Sequence, residues 1–280
     1  MQYSKFEQIK NFSLQHRNIV VLFLCLIITL CVVIPLSFSL KSQTQVEEFS
    51  EIQKFLLETQ EKDKDIYNRK KYVEVKKISK GIDVSSFQGD IDWEKVKESG
   101  IDFAMIRCGF RNLTISDLGV DNKFHYNISE ANRLGIPVGI YFYSTAINEI
   151  EAIEEATFVL NLIKDYDITY PVVYDFELFN QKRTKGVTAD VINKNADLYL
   201  NYMETHGYKG MLYFNLTALD YYWNLDYFSN KKLWLAHYAN GIDYEGQFDM
   251  WQYADNGRID GIKGNVDLNI SYFSYEEVND

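Results

Sequence analysis

Pro171-Val-Val-Tyr-Asp175-Phe-Glu177 is the stretch that decides how this chain is read. Four residues that need burial run directly into two acids separated by a single Phe. On a strand, side chains two apart point to the same face, with Cα atoms about 6.5–7 Å apart. Two carboxylates that close raise each other's proton affinity, so one can stay protonated near neutrality. An isolated Asp-x-Glu is far more often a helix cap beside a solvated acid. An apolar strand that runs into such a pair asks for a site at its end. Clustered carboxylates also bind Ca²⁺ or Mg²⁺. None of His16, His125, His206 and His237 falls beside these acids, and EF-hand spacing is absent, so acid catalysis is favoured over a metal site.

On either side of this stretch, short apolar runs alternate with amphipathic helical patterns. Strands are expected at 81–85, 103–109, 137–143, 171–177, 210–215, 233–238, 248–253 and 266–268, and helices at 92–99, 126–134, 149–163 and 189–205. Gly100, Gly135 and Gly207 fall at helix ends, where positive φ is wanted. The alternation implies an α/β fold with a parallel sheet and right-handed crossovers. The strand number fits an irregular β/α (TIM-like) barrel whose last helices are shortened or missing. A doubly wound open sheet would be expected to carry a GxGxxG or GxxxxGK[ST] phosphate loop, and the sequence has neither. In a β/α barrel chemistry is built at the C-terminal strand ends. Asp83 in the first strand, Asp175 and Glu177 in the fourth and Asp267 near the last would then converge on one mouth.

The net charge of −11 is unevenly spread: residues 1–77 carry 12 Lys+Arg against 9 Asp+Glu, and residues 78–280 carry 17 against 31. An acidic body argues against nucleic acid as a partner, because phosphate binding needs a basic face. Cys25 and Cys31 lie in the apolar N-terminal run, which leaves Cys108 alone in the body, without a disulfide partner or a zinc-type cluster. Its apolar neighbours make it a strand-packing residue.

Residues 18–40 carry no charge and are rich in Val, Leu and Ile, long enough for a transmembrane helix. Lys5, Lys10 and Arg17 precede this run, which puts residues 1–17 in the cytoplasm and the bulk of the chain outside, on a single-pass cell-membrane anchor. A cleaved signal peptide would have a shorter core and a better small-x-small site than Ser37-Phe-Ser39. Residues 41–77 lack Gly and Pro and are rich in Glu, Lys, Asp and Gln, the composition of a charged helical stalk. Val46, Phe49, Ile52, Phe55 and Leu56 fall at helical spacing, so the stalk can pair with a copy of itself or stand alone.

Residues 78–280 resemble a glycoside hydrolase family 25 lysozyme. The resemblance runs through Lys80-Gly-Ile-Asp83-Val-Ser-Ser-Phe-Gln-Gly89, Ile91-Asp-Trp93, Pro137-Val-Gly-Ile-Tyr141-Phe-Tyr143, Pro171–Glu177, Trp234-Leu-Ala-His-Tyr238, Trp251-Gln-Tyr253 and Gly264-Asn-Val-Asp267. It implies an irregular β/α barrel and N-acetylmuramidase action on the β-1,4 bond between N-acetylmuramic acid and N-acetylglucosamine in peptidoglycan. By this similarity Glu177 is the general acid, Asp175 its partner toward the substrate acetamido group or a water, Asp83 and Asp267 complete the acidic pocket, and no metal or organic cofactor is implied. Tyr141, Tyr143, Tyr213, Trp234, Tyr238 and Trp251 are the candidates for stacking on sugar faces. Tyr141-Phe142-Tyr143 departs from a pattern that often reads Tyr-His-Phe. The anchor suggests a tethered enzyme that opens a local gap in the wall for a conjugation or secretion apparatus. The alternative is a non-catalytic wall-binding or assembly module.

Overall fold

The computed structural model describes residues 72–177, 180–239 and 241–278. The expected membrane segment, and the stalk up to residue 71, lie outside the described residues. Among the described residues no helix is long and apolar enough to cross a membrane.

The chain enters the body as a strand, β1 (Tyr72–Val75), followed by β2 (Ser79–Val84), α1 (Trp93–Glu98), β3 (Phe103–Arg111) and a short β4 (Leu118–Val120). Then come α2 (Phe124–Arg133), β5 (Val138–Tyr143), α3 (Glu149–Ile163), β6 (Val172–Asp175), α4 (Ala189–Thr205), β7 (Gly210–Asn215) and α5 (Leu216–Tyr221). Four strands finish it: β8 (Lys232–Ala236), β9 (Met250–Gly257), β10 (Val266–Ser271) and β11 (Ser274–Glu277). Asp92, Asn148 and Thr188 cap the N-termini of α1, α3 and α4 by accepting from the backbone N–H three residues on. Gly100, Gly135 and Gly207 have φ of 78°, 67° and 80°, as their places after helices require.

The sheet order is β2-β10-β9-β8-β7-β6-β5-β3-β4, and β2 also pairs with β3, so the sheet closes on itself. Only β4 hangs outside, leaving an eight-stranded ring. From β2 through β3 and β5 to β9 the ring neighbours run parallel. The wholly parallel sheet expected from the alternation fails at two strands: outside the ring β4 is antiparallel to β3, and within it β10 is antiparallel to both β9 and β2. A parallel return needs a crossover of a dozen or more residues, and the connection at 258–265 is too short for one.

The ring encloses Phe103, Met105, Tyr170, Val173, Met211, Trp234 and Met250, which pack with Phe273 and Tyr275 into one buried cluster. Phe103 and Tyr170 stack with ring centroids 4.5 Å apart. Gly81 permits this: a Cβ there would lie 2.3 Å from the Phe103 ring. Helices α3 and α4 lie outside the ring, packed on each other and on the strands.

The stalk boundary at residue 77 also needs correction. Residues 72–75 are not helical; they pair antiparallel with β11 as a two-stranded ribbon. Tyr72 and Val75 are half-buried while Val73 and Glu74 are exposed, and the tyrosine packs against the buried cluster. Tyr72 Oη donates to Asp167 and Lys232 Nζ pairs with Glu74 at 3.0 Å. The folded body therefore begins by residue 72, and the ribbon covers the ring at the strand-start end, away from the strand C-termini.

Candidate active site

The C-terminal strand ends open into a cleft of about 830 Å³ whose walls include Asp83, Asp175, Glu177, Asp267, Tyr141, Tyr143, Tyr213 and Trp234. All four acids named from the sequence thus face one cavity. Tyr238 sits beside it, through the hydrogen bond of its hydroxyl to the Gln252 side chain at 2.8 Å. Trp251 does not reach the cleft: on β9 it alternates with inward-pointing Gln252 and donates its indole N–H to the His237 carbonyl at 2.8 Å. Trp234 is only 2 % exposed and donates to Asn269 Oδ1 at 2.9 Å, so it is a wall more than a free platform.

Asp83 and Asp267 are directly opposed across the β2–β10 pairing. Asp83 Oδ2 accepts from Asn269 Nδ2 at 2.7 Å and Gln252 Nε2 at 2.9 Å, and Gln252 also reaches Asp267 Oδ2 at 3.3 Å. Burial raises the proton affinity of Asp83, while these two amide donors oppose it. Asp267 is supported more weakly, by Gln252 at 3.3 Å. Burial, then the Asp83 charge, then the hydrogen bond to Asp83 push it up to about 8. Both acids of the pair therefore have raised proton affinity, and they titrate together.

Asp175 ends β6, and its backbone carbonyl accepts from the Ser144 N–H at 2.7 Å. Glu177 was expected on the same strand; it lies two residues past the strand end, at the open mouth. What turns both acids toward the cleft is Phe176. It is 1 % exposed, wedged edge-on between Tyr222 and Trp223, with its carbonyl accepting from Tyr222 Oη at 3.0 Å. Among the described residues Asp175 Oδ1 has no hydrogen-bond partner. Burial, then Glu177, then Asp83 raise the Asp175 pKa strongly, and Arg107 offsets part of this. Burial within the cleft and then the Asp267 charge raise Glu177 as well, although its side chain is open to solvent. Acids whose proton affinity is raised are suited to give a proton to a bound molecule. Among the described residues no three His, Cys, Asp or Glu side chains are grouped to hold a metal ion.

Several site residues were not picked out from the sequence. Gln252 joins both acids of the pair to the hydroxyls of Tyr213, at 3.0 Å, and Tyr238. Asn269 holds Asp83 in place. Arg107 lines the cleft, tied to Asp121 and Ser86, with its guanidinium 4.8 Å from the Phe87 ring centroid. Inward alternation would have pointed to both: Gln252 shares a face of β9 with Met250 and Ala254, and Asn269 shares a face of β10 with Asp267 and Ser271.

Comparison with known proteins agrees with this geometry. The profile of the glycosyl hydrolases family 25 matches residues 82–262. An uncharacterized protein of Escherichia coli K12, YegX, is 30% identical over 202 residues, covering 71% of each chain. The autolytic lysozyme of Clostridium acetobutylicum is 28% identical over 192 residues, covering 68% of this chain and 54% of that one. The structure of the modular autolysin LytC of Streptococcus pneumoniae, in complex with a synthetic peptidoglycan ligand, superposes with a TM-score of 0.61 at 29% identity. It covers 71% of this chain and 47% of that one, so the present chain spans about half the length of these last two relatives. With the ring, the acidic mouth and a family match over most of the barrel, the chain belongs to family 25 of the glycosyl hydrolases and is a glycoside hydrolase.

Proposed function

We propose that the chain is a membrane-anchored lysozyme that cleaves the β-1,4 bond between N-acetylmuramic acid and N-acetylglucosamine, with Glu177 as proton donor. The observation that carries this reading is the convergence of Asp83, Asp175, Glu177 and Asp267 on one cleft, all with raised proton affinity. Glycoside hydrolysis needs an acid that stays protonated until the leaving oxygen takes its proton. Glu177 is the acid at the open mouth, where a glycan can reach it. Asp175, deeper and without a partner on Oδ1, is suited to hold the substrate acetamido group or a water. Two relatives, an autolytic lysozyme and an autolysin solved with a peptidoglycan ligand, support the substrate class.

Anchoring rests on the apolar residues 18–40. It puts the catalytic body outside the cell. The chain enters that body at β1, on the end of the barrel away from the cleft, so a tether there leaves the mouth free. A tethered enzyme cuts locally, as an envelope-spanning apparatus needs.

The test uses the full-length chain with purified peptidoglycan. Cleavage is expected to yield strands with muramic acid at the new reducing end, and Glu177→Gln is expected to lower turnover by about 10²–10⁴-fold. Full turnover by that variant refutes the role of Glu177; glycan binding without any cleavage by the wild type refutes the hydrolase reading.

A further inference from the structure

The acids explain bond cleavage but leave a difficulty for binding. A glycan that carries carboxylates must enter a cleft whose four acids are partly ionised, and the charge that they retain repels it at short range. Three cations line the same cleft: Arg107, Arg111 and Lys182. Arg107 is committed to Asp121 at 2.8 Å, and Arg111 is buried against Glu155 at 2.7 Å. Among the described residues Lys182 has no ion-pair partner, and it is exposed.

The backbone at Lys182 is strained. Lys182 has φ +48° and Asn180 φ +54°, the left-handed region that favours glycine. Such conformations persist only where the surroundings fix them, and they cluster at ligand sites. Here the surroundings do fix it. Gln181 N–H donates to Thr184 Oγ1 at 3.1 Å, and that hydroxyl donates back to the Gln181 carbonyl at 2.8 Å. Arg183 clamps the segment onto Glu151 through two contacts, at 2.9 and 2.5 Å, and also holds the Thr145 carbonyl and Ser116 Oγ. Glycine would take this φ without strain; the chain has a lysine there, five residues after Glu177 and facing the cleft.

We propose that Lys182 is a specificity residue that pairs with a carboxylate on the substrate's muramyl side arm. This rests on the glycan reading above and deepens it. Muramic acid carries a lactyl ether that ends either in a free carboxylate or in a peptide with carboxylates of its own. Polymers of N-acetylglucosamine alone carry neither. Lys182 thus offsets the repulsion of the acidic cleft for the first kind of glycan and offers nothing to the second.

The test measures binding in the full-length Glu177→Gln background, by calorimetry, with three soluble glycans. One is peptide-free with lactyl carboxylates, the second is the same with those groups converted to neutral amides, and the third keeps its stem peptides. Carboxylate-bearing strands are expected to bind about three- to fivefold more tightly than the neutral strand at low salt, the size of an exposed ion pair. Lys182→Gln and Lys182→Gly should both erase this preference, Lys182→Arg should keep it, and Lys182→Glu should reverse it. The glycine variant also relieves the left-handed strain, so loss of preference there cannot be a folding defect. Preference for the first strand identifies the lactyl group as the partner; preference for the third alone identifies the peptide. Equal affinity for charged and neutral strands, or a preference that survives Lys182→Gly, overturns the assignment. Charge-blind binding with normal cleavage by the Glu177 enzyme removes Lys182 alone; absent cleavage with charge-dependent binding removes only the hydrolase reading.

Discussion

Replacing Asp267 with Asn should make the protein more stable, and only above acidic pH. Asp267 is pushed from the ordinary 3.8 to about 8 by burial and by Asp83 across the β2–β10 pair. Below pH 3.8 the group is protonated in both folded and unfolded chains and contributes nothing to the pH dependence. Between 3.8 and about 8 the folded chain keeps a proton that the unfolded chain has released. The folded state then binds more protons, so stability falls as pH rises, and the whole penalty is present above pH 8. A shift of that size corresponds to about 6 kcal/mol in full. Asp267 is partly open to the cleft, where solvent screens the charge, which reduces the penalty to about 2 kcal/mol. Urea denaturation of wild type and Asp267→Asn at pH 4, 6 and 8 is the assay. The two should differ little at pH 4, and the variant should lead by about 2 kcal/mol at pH 8. Parallel pH profiles would refute the shift at Asp267, and a less stable variant at pH 8 would refute its sign.

The remaining predictions concern the supports of the site. Arg183→Met should cost about 3 kcal/mol, because Glu151 is left nearly buried without its partner at 2.5 Å. It should also lower kcat by freeing the segment after Glu177, and Arg183→Lys should not restore kcat because the contact is two-pronged. A chain starting at residue 78 should melt several degrees below one starting at 72, since it lacks β1 and its ties to Asp167 and β11. Its rate per folded molecule on peptidoglycan should be unchanged; equal melting temperatures would remove the ribbon from the body's stability.

Much of the barrel could be read from the sequence because its parts obey local rules. The bounds of α3, α4 and β7 were expected as found, since each is a clean run closed by a cap, a glycine or an acid. The errors lie where long-range pairing decides. Tyr72-Val-Glu-Val looks helical inside a charged run, and only its partner Ser274–Glu277 makes it a strand. The spacing of Asp175 and Glu177 suggested one strand face, whereas Phe176 buried against Tyr222 and Trp223 is what orients them. Trp251 was grouped with the sugar platforms as an aromatic in a motif; alternation against Gln252 places it on the other face of β9. Lys182 left no sequence signal, because its meaning depends on a backbone angle and on the pairing of Arg107 and Arg111 elsewhere.

The reversal of β10 does more than close the ring. In a wholly parallel barrel, neighbouring strands carry their site residues to the rim separately, each at its own end. An antiparallel last strand begins at the rim, so its second residue, Asp267, stands directly opposite Asp83 near the end of β2. Two positions further along β10, Asn269 reaches the same Asp83 oxygen that Gln252 holds from the other neighbour. The paired strands therefore supply two acids and one amide donor, and β9 supplies the second donor. Asp83 then carries two amide donors and Asp267 one weaker contact, and the two acids titrate as a pair. The short 258–265 connection, which forces the reversal, thus determines the electrostatics of the cleft in which Glu177 works. A longer connection that let the strand run parallel would keep every acid in the sequence and lose the pair.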